Sequence, residues 1–154
     1  MKHYEQQLQE YMEDWGIQGR QTIFAQACHS VAQAAAAIRG EPNDLVKNIC
    51  FLDDAERLIV AIVRGGDRVS TSRAAKAAAA SGLRPASPAE ILQRTGYPCG
   101  GVPSFGYAAI FLVDPKITER TSIYSGGGSP HALVQLSPAE LLRANQGQLV
   151  RVRS

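Results

Sequence analysis

The 154-residue sequence predicts a single α/β domain of the mixed α+β kind, with helices packed around one mixed sheet. The strongest observation is a pair of apolar segments near residues 49–63 that are joined by a short polar turn, as in a hairpin. Several other segments have helical spacing, and helices and strands are interspersed rather than regularly alternating. No linker or change in composition divides residues 1–154, so we expect one core.

The first forty residues predict a helix, a weak strand and a second helix. The first helix, an extension within residues 1–16 that Gly16 ends, follows from apolar and aromatic residues at helical spacing: Tyr4, Leu8, Tyr11, Met12 and Trp15. The weak strand is Gln21–Ala25. Ser30 is placed to cap the helix VAQAAAAIR, and Gly40 is placed where a helix end favours a left-handed residue.

The central segment predicts a hairpin followed by a helix. Its strands are Ile49–Leu52 and Leu58–Val63, and the second is apolar throughout, which indicates a strand buried on both faces. The acidic turn between them is explained by the hairpin and requires no metal ion. An alanine-rich helix is expected from Ser72 to Ser81, ending at Gly82.

The tetrapeptide SPAE occurs at residues 87–90 and 137–140. Each copy has serine at the cap, proline at the first helical position and glutamate at the third, so each predicts a capping box that opens a short helix. Further strands are expected at Tyr107–Val113 and in the segments SIYS, ALVQL and QLVRVR.

Composition excludes several classes of protein. The net charge is +2, so nucleic-acid binding would have to be local. The three cysteines form no CxxC pair, so we expect neither a disulfide framework nor a metal site. No apolar run approaches the roughly 20 residues of a membrane span, and the acidic N-terminal segment differs from a signal peptide. A cytoplasmic protein without a cofactor is expected.

Two glycine clusters are candidates for ligand contact. The segment GGVPSFG (residues 100–106) and the triple glycine Gly126–Gly128 each precede or follow a predicted strand. Such segments are either turns or loops whose N–H groups bind an anion, and composition alone favours a turn for the first. Neither cluster matches a nucleotide-binding fingerprint.

The other candidates are single side chains. Lys47 immediately precedes the strand NICFL and is either a solvated surface residue or a fixed charge at a sheet end. His131 follows the triple glycine and is a possible donor, acid or base, whereas His29 is interpreted as structural. Cys50 is predicted to be a buried small hydrophobe, and Cys99 to face a pocket beside GGVPSFG.

The order of these features resembles the YbaK/EbsC family of aminoacyl-tRNA deacylases, which also occurs as an editing insertion in bacterial prolyl-tRNA synthetases. The resemblance lies in LVKNICF, in SPAEILQRTGYPCGGVPSFG before an apolar strand that ends in VDPKI, and in SGGGSPHAL before SPAELLR. It covers about residues 30–145 and implies a strongly curved mixed sheet with flanking helices.

The resemblance also implies which residues form the site. The family's essential lysine corresponds to Lys47, and its GxxxP loop to residues 100–104, where this chain has serine at the last position and proline one position earlier. The implied catalytic residues are Lys47, Gly100 and Gly101. The implied substrate-binding residues are Val102, Pro103, Ser104, Phe105, Gly106, Gly126, Gly127, Gly128 and His131.

The function predicted from this resemblance is trans-editing hydrolysis of a mischarged aminoacyl-tRNA, with tRNA(Pro) carrying a small amino acid as the expected substrate and prolyl-tRNA synthetase as a possible partner. An aminoacyl ester is already activated, so glycines and one lysine suffice without a catalytic triad. Only the acceptor end of the tRNA has to be bound, which agrees with the low net charge. The alternatives are a non-catalytic module that binds a nucleotide or small ligand in the same cleft, and an interaction domain that has lost the activity.

Overall fold

The structure is a computed structural model and describes residues 2–154, so Met1 of the predicted first helix lies outside the described residues. Its α-helices are α1 (Lys2–Asp14), α2 (Val31–Ile38), α3 (Thr71–Ala77), α4 (Pro88–Thr95) and α5 (Pro138–Asn145). Its strands are β1 (Gly19–Ile23), β2 (Val46–Leu52), β3 (Leu58–Arg64), β4 (Arg84–Pro85), β5 (Ile110–Val113), β6 (Ile123–Gly126), β7 (Ala132–Leu136) and β8 (Gln148–Leu149). Two short 3-10 helices lie at Pro42–Asp44 and Pro115–Glu119.

The predicted mixed α/β class is confirmed, but the strands form two sheets rather than one. The smaller sheet has the order β1-β7-β6 and is antiparallel. The larger has the order β4-β2-β3-β5-β8, with antiparallel pairing of β2 to β3 and parallel pairing of β3 to β5. An isolated bridge between Leu45 and Tyr124 connects the two sheets next to the start of β2.

The hairpin of β2 and β3 is the centre of the larger sheet, as predicted. Residues 58–63 of β3 are all buried. Val60 and Ile62 belong to the main core cluster, whereas Ile59, Ala61 and Val63 pack on the opposite face against a cluster that includes α3 and the C-terminal segment. Because alternate side chains are buried on both faces, β3 holds its partner β2 in a fixed position.

Some strand bounds differ from the prediction. Lys47 lies inside β2, where it is paired with Val63, and does not precede the strand. The predicted strand Gln21–Ala25 begins two residues earlier, at Gly19. The strand after the glycine loop begins at Ile110 and not at Tyr107, because the Tyr107 hydroxyl donates a hydrogen bond to the Pro103 carbonyl at 2.7 Å and keeps this residue with the loop.

Two helix ends also differ. Ser30 caps α2 in a complete capping box, but the left-handed residue at its end is Arg39, with φ of 55°, and not Gly40. Helix α3 ends at Ala77, well before the predicted Gly82, and Ala79 has a φ of 50°. The Arg57 guanidinium donates to the Ala78 and Ala79 carbonyls, so a side chain from the hairpin terminates this helix.

Candidate active site

A cleft of about 210 Å³ lies beside the first half of β2. Strand β4 pairs only with Phe51 and Leu52, so the edge of β2 from Val46 to Ile49 is open towards this cleft. The opposite walls come from residues 28–34, from the glycine loop at residues 99–102 and from Gly126. The cleft therefore lies between the two sheets, with β2 as one wall.

Lys47 provides the positive charge of the cleft. Its side chain is half-buried, and burial lowers the pKa of its ammonium group below the usual lysine value; Asp67 acts in the opposite direction, while Arg68 lowers it further. Among residues 2–154, no group forms an ion pair or a hydrogen bond with this ammonium. The charge is consequently available to a ligand.

The glycine loop contributes unpaired backbone donors. Gly100 has a φ of +90°, and a Cβ atom at this position would lie 2.2 Å from Nδ1 of His29, so only glycine permits this packing. The Gly101 N–H donates to the Pro98 carbonyl at 2.9 Å. Within the described chain, the N–H groups of Gly100 and Val102 have no acceptor, and both residues line the cleft.

The second glycine cluster supports the loop from behind. A Cβ atom at Gly126 would lie 2.0 Å from the Val102 carbonyl oxygen, so the two backbones are in direct contact. The Gly128 N–H donates to the Gly101 carbonyl at 2.8 Å. The two clusters, which the sequence presents separately, thus form one unit in which Gly126 also lines the cleft.

A buried polar network fixes the loop to β2. The Ser104 hydroxyl donates to Asn48 Oδ1 at 2.7 Å, and the Ser104 N–H donates to Ser125 Oγ at 3.1 Å. Since its one hydroxyl proton goes to Asn48, Ser104 Oγ accepts from the Ser125 hydroxyl, also at 2.7 Å. Asn48 in turn donates to the Val102 carbonyl at 2.9 Å. This network therefore sets the position of Val102, whose N–H group has no acceptor in the described chain.

The remaining predicted residues lie behind the cleft wall. Pro103 and Phe105 are buried, and the Phe105 ring stacks on Tyr11 of α1 at a centroid distance of 6.2 Å. A Cβ atom at Gly106 would also contact the Tyr11 ring. Helix α1, which lies outside the sequence resemblance, therefore supports the loop.

His29 lines the cleft and His131 does not, which is the reverse of the expectation from the sequence. His131 is not among the cleft residues; its Nδ1 lies 3.0 Å from the Gln26 carbonyl, and its N–H donates to Ser129 Oγ. His29, interpreted as structural from the sequence, lies in the cleft wall against Gly100. His131 instead holds the segment that carries His29.

The three cysteines all line the cleft, including Cys99 as expected. Cys50 is buried, and this burial raises the pKa of its thiol to about 12, so it remains protonated and is a poor nucleophile. In the part of the chain that is described, no three His, Cys, Asp or Glu residues form a group suited to a metal ion. None of the described helices is both long and apolar enough to cross a membrane.

Comparison with known proteins identifies the family. The sequence model of the family described as aminoacyl-tRNA editing domain matches residues 25–144. The chain belongs to this family of editing domains. The Bacillus subtilis protein YwhH is 28% identical to this editing domain over 130 residues, which are 82% of each chain. The proline–tRNA ligase of Anaeromyxobacter sp. is 32% identical over 82 residues, which are 53% of this chain and 14% of that enzyme.

Solved structures share the fold of this editing domain. The structure of a candidate trans-editing enzyme for prolyl-tRNA synthetase superimposes with a TM-score of 0.90 over 98% of this chain and 97% of that one, at 24% identity. A hypothetical protein gives a TM-score of 0.88 at 29% identity, over 96% and 99% of the two chains. The fold likeness extends beyond the sequence match and includes α1.

Proposed function

We propose that this editing domain hydrolyses the ester bond of a mischarged aminoacyl-tRNA. The observation that carries the proposal is that an unpaired lysine and unpaired backbone N–H groups meet in one cleft, at Lys47, Gly100 and Val102. An ester needs such groups because negative charge develops on its carbonyl oxygen during hydrolysis. Membership of the editing-domain family supports the same reaction.

In the proposed reaction, the N–H groups of Gly100 and Val102 donate to the acyl carbonyl oxygen, and Lys47 places its charge next to the acyl group or the 3′-terminal nucleotide. A water molecule adds to the carbonyl carbon, and the bond between this carbon and the ribose oxygen breaks. The proton that the attacking water loses is transferred to the ribose oxygen, which releases the free amino acid and the uncharged tRNA. A hydroxyl group of the substrate can orient the water, so no side-chain nucleophile is required.

The dimensions of the cleft favour a small aminoacyl group. Its volume of about 210 Å³ is below the roughly 300 Å³ at which ligand pockets usually begin. Its apolar walls include Val31, Leu45 and Leu133, which suit a short side chain. The similarity to a proline–tRNA ligase supports tRNA(Pro) as the carrier, and association with prolyl-tRNA synthetase remains a prediction.

The proposal is tested with the variants Lys47→Ala and Lys47→Arg. Lys47→Ala should lower the deacylation rate by roughly 100- to 1,000-fold on tRNA(Pro) charged with Cys, Ala, Ser or Thr, because charge stabilisation of the transition state is lost. Its thermal stability should be nearly unchanged, since the ammonium has no partner among residues 2–154. The matched control is Lys116→Ala, which removes a lysine whose partner is Glu119 on a 3-10 helix outside the cleft.

The pH profile provides a second readout. Because the pKa of Lys47 is lowered, its ammonium group loses its proton at a pH below the usual lysine pKa of about 10.4. The enzymatic rate should therefore begin to decrease before the pH reaches that value. Lys47→Arg should lose this alkaline decrease, because guanidinium remains charged. If the parent chain hydrolyses none of the four substrates, the result favours a non-catalytic binding module instead. If the rate is unchanged in Lys47→Ala, Lys47 has no part in the mechanism.

A further inference from the structure

Basic side chains without an acidic partner are concentrated at one end of the larger sheet. Seven lysines and arginines of the described chain form ion pairs. Elsewhere among residues 3–154, the exposed cations without such a pair are Arg20 and Arg39. Four exposed cations without such a pair lie around the loop after β3, helix α3 and the C-terminal segment: Arg68, Arg73, Lys76 and Arg151. We call these four residues the basic surface.

Backbone contacts bring the members of the basic surface together. The Ser70 N–H donates to the Val152 carbonyl at 2.7 Å, and the Ser154 N–H donates to the Arg68 carbonyl at 2.8 Å. Val69 and Arg153 form an antiparallel bridge. Arg151 is therefore held beside Arg68, although the two are far apart in the sequence.

The nearby carboxylates do not neutralise this surface. Asp67 precedes Arg68, but it is bound by the Arg64 guanidinium through two hydrogen bonds of 2.8 and 3.1 Å. Asp114 is fully buried and is paired with Arg153. Within the described residues, no Asp or Glu side chain pairs with the basic surface. The Arg151 guanidinium donates to the Arg153 and Ser154 carbonyl oxygens at 3.4 and 3.1 Å. Most of the positive charge of the basic surface thus faces solvent.

The basic surface lies next to the lysine of the cleft. Side chains alternate along a strand, so Lys47 projects from the same face of β2 as Ile49 and Phe51. That is the face on which α3 and the C-terminal segment pack. Val46 is paired with Arg64, so the loop that carries Arg68 leaves the sheet at the end of β2 where Lys47 lies.

We propose that the basic surface binds the sugar-phosphate backbone of the tRNA acceptor end while the acyl group esterified to the 3′-terminal nucleotide occupies the cleft. This inference rests on the proposed function. Exposed arginines and lysines are the usual contacts of a phosphate backbone, and they contribute affinity without sequence selectivity. A cleft of about 210 Å³ accommodates the acyl end only, so further affinity for a large RNA has to come from outside the cleft.

The experiment compares two substrates in the double variant Arg68→Gln/Arg73→Gln. Neither side chain forms a hydrogen bond or ion pair within residues 2–154, so the fold should be unaffected. For a mischarged acceptor minihelix, kcat/KM should fall on the order of tenfold, and the slope of log(kcat/KM) against log[salt] should decrease by about one unit per lost contact. For aminoacyl-adenosine, which has the ester but no phosphate backbone, kcat/KM should be unchanged at neutral pH, because loss of the Arg68 charge only raises the pKa of Lys47 and so keeps its ammonium group protonated.

The matched control is Arg20→Gln, which removes an exposed and unpaired arginine from β1 of the other sheet. It should leave both substrates unaffected. An equal loss on both substrates, or no loss on the minihelix, would overturn the proposal. If the parent chain hydrolyses neither substrate, the proposed function fails, and the basic surface is then tested by binding of uncharged minihelix. Weaker and less salt-dependent binding by the double variant would support RNA binding by the basic surface, and unchanged binding would overturn it.

Discussion

The sequence resemblance implies a proline at position 104, at the end of the glycine-loop motif, where this chain has Ser104. Ser104 stabilises the loop by hydrogen bonds and not by restricting the backbone. A proline restricts φ, but it has no N–H group and no hydroxyl. Ser104 uses both groups, because its N–H donates to Ser125 and its hydroxyl donates to Asn48. Its side chain is completely buried, so these hydrogen bonds are formed without competition from water.

Replacement of Ser104 should therefore reduce both stability and activity. Ser104→Ala leaves Asn48 Oδ1 without its donor and the Ser125 hydroxyl proton without its acceptor, at a cost of about 1–3 kcal/mol in the free energy of unfolding. Ser104→Pro also removes the N–H donor and should cost more. Both variants should lower kcat/KM for deacylation, because the network positions Val102. Denaturant unfolding and single-turnover kinetics measure these effects, with exposed Ser81→Ala as control; full stability in Ser104→Ala would contradict the role of the network.

The candidate site could be predicted only in part at this scale. Lys47 and the glycine clusters were identified from their order in the sequence. Asn48 and His29 were missed, because their roles depend on contacts that form only in the fold. Asn48 and Ser104 are 56 residues apart in the chain, and no local spacing relates them. Side chains alternate along a strand, so Lys47 and Asn48 project from opposite faces of β2. This alternation gives no reason to place both residues in the same site.

The two SPAE segments form different hydrogen bonds in helices α4 and α5, although their sequences are identical. In α4 the predicted capping box is complete, because Glu90 accepts from the Ser87 N–H and Ser87 Oγ accepts from the Glu90 N–H. In α5 the cap at Ser137 forms, but Glu140 accepts from the Gln18 N–H at 2.6 Å instead. The prediction of two reciprocal boxes is therefore wrong for the second copy, because a tertiary partner from the α1–β1 connection replaces the local one.

This difference is measurable by amide hydrogen exchange. Glu140→Ala should accelerate exchange at Gln18 without affecting Ser137, whereas Glu90→Ala should accelerate exchange at Ser87, because each substitution removes the acceptor of that particular N–H. Glu119→Ala, which removes an exposed partner of Lys116, should change neither. Loss of protection at Ser137 in Glu140→Ala would show that the second box forms in solution.

At the scale of the whole molecule, the sequence predicted the class of fold but not the division into two sheets. The buried β3 and the hairpin follow from local apolar patterns, which require no knowledge of distant partners. The pairing of β1 with β7 joins segments more than 100 residues apart, and short strands such as these carry little register information of their own. The predicted strand QLVRVR likewise shortens to Gln148–Leu149, because the N–H groups of Val152 and Arg153 donate to the Asp114 carboxylate and not to a neighbouring strand.

Asp114 is the group that attaches the C-terminal segment to the rest of the domain. Its fully buried carboxylate accepts from the N–H groups of Lys116, Val152 and Arg153 at 3.0 Å and from the Arg153 guanidinium at 2.8 Å. Burial acts to raise the pKa of this carboxyl, but these hydrogen bonds outweigh it and hold the pKa below its usual value. The ionised form is therefore the one that stabilises the fold.

Asp114→Asn should lower the free energy of unfolding by about 3 kcal/mol near neutral pH, because it leaves the buried Arg153 contact without its charge partner. A carboxyl whose pKa is lowered by folding contributes its full stability above its unfolded pKa of about 3.9, and this contribution disappears as pH falls through the lower, folded value. In denaturant titrations, the difference between parent and variant should thus be large at about pH 7 and should shrink as pH falls below about 3.9. The exposed ion-pair control Glu119→Gln should cost below about 1 kcal/mol. A difference that stays constant across this pH range would show that the carboxylate charge does not hold the C-terminal segment, and with it Arg151 of the basic surface, in place.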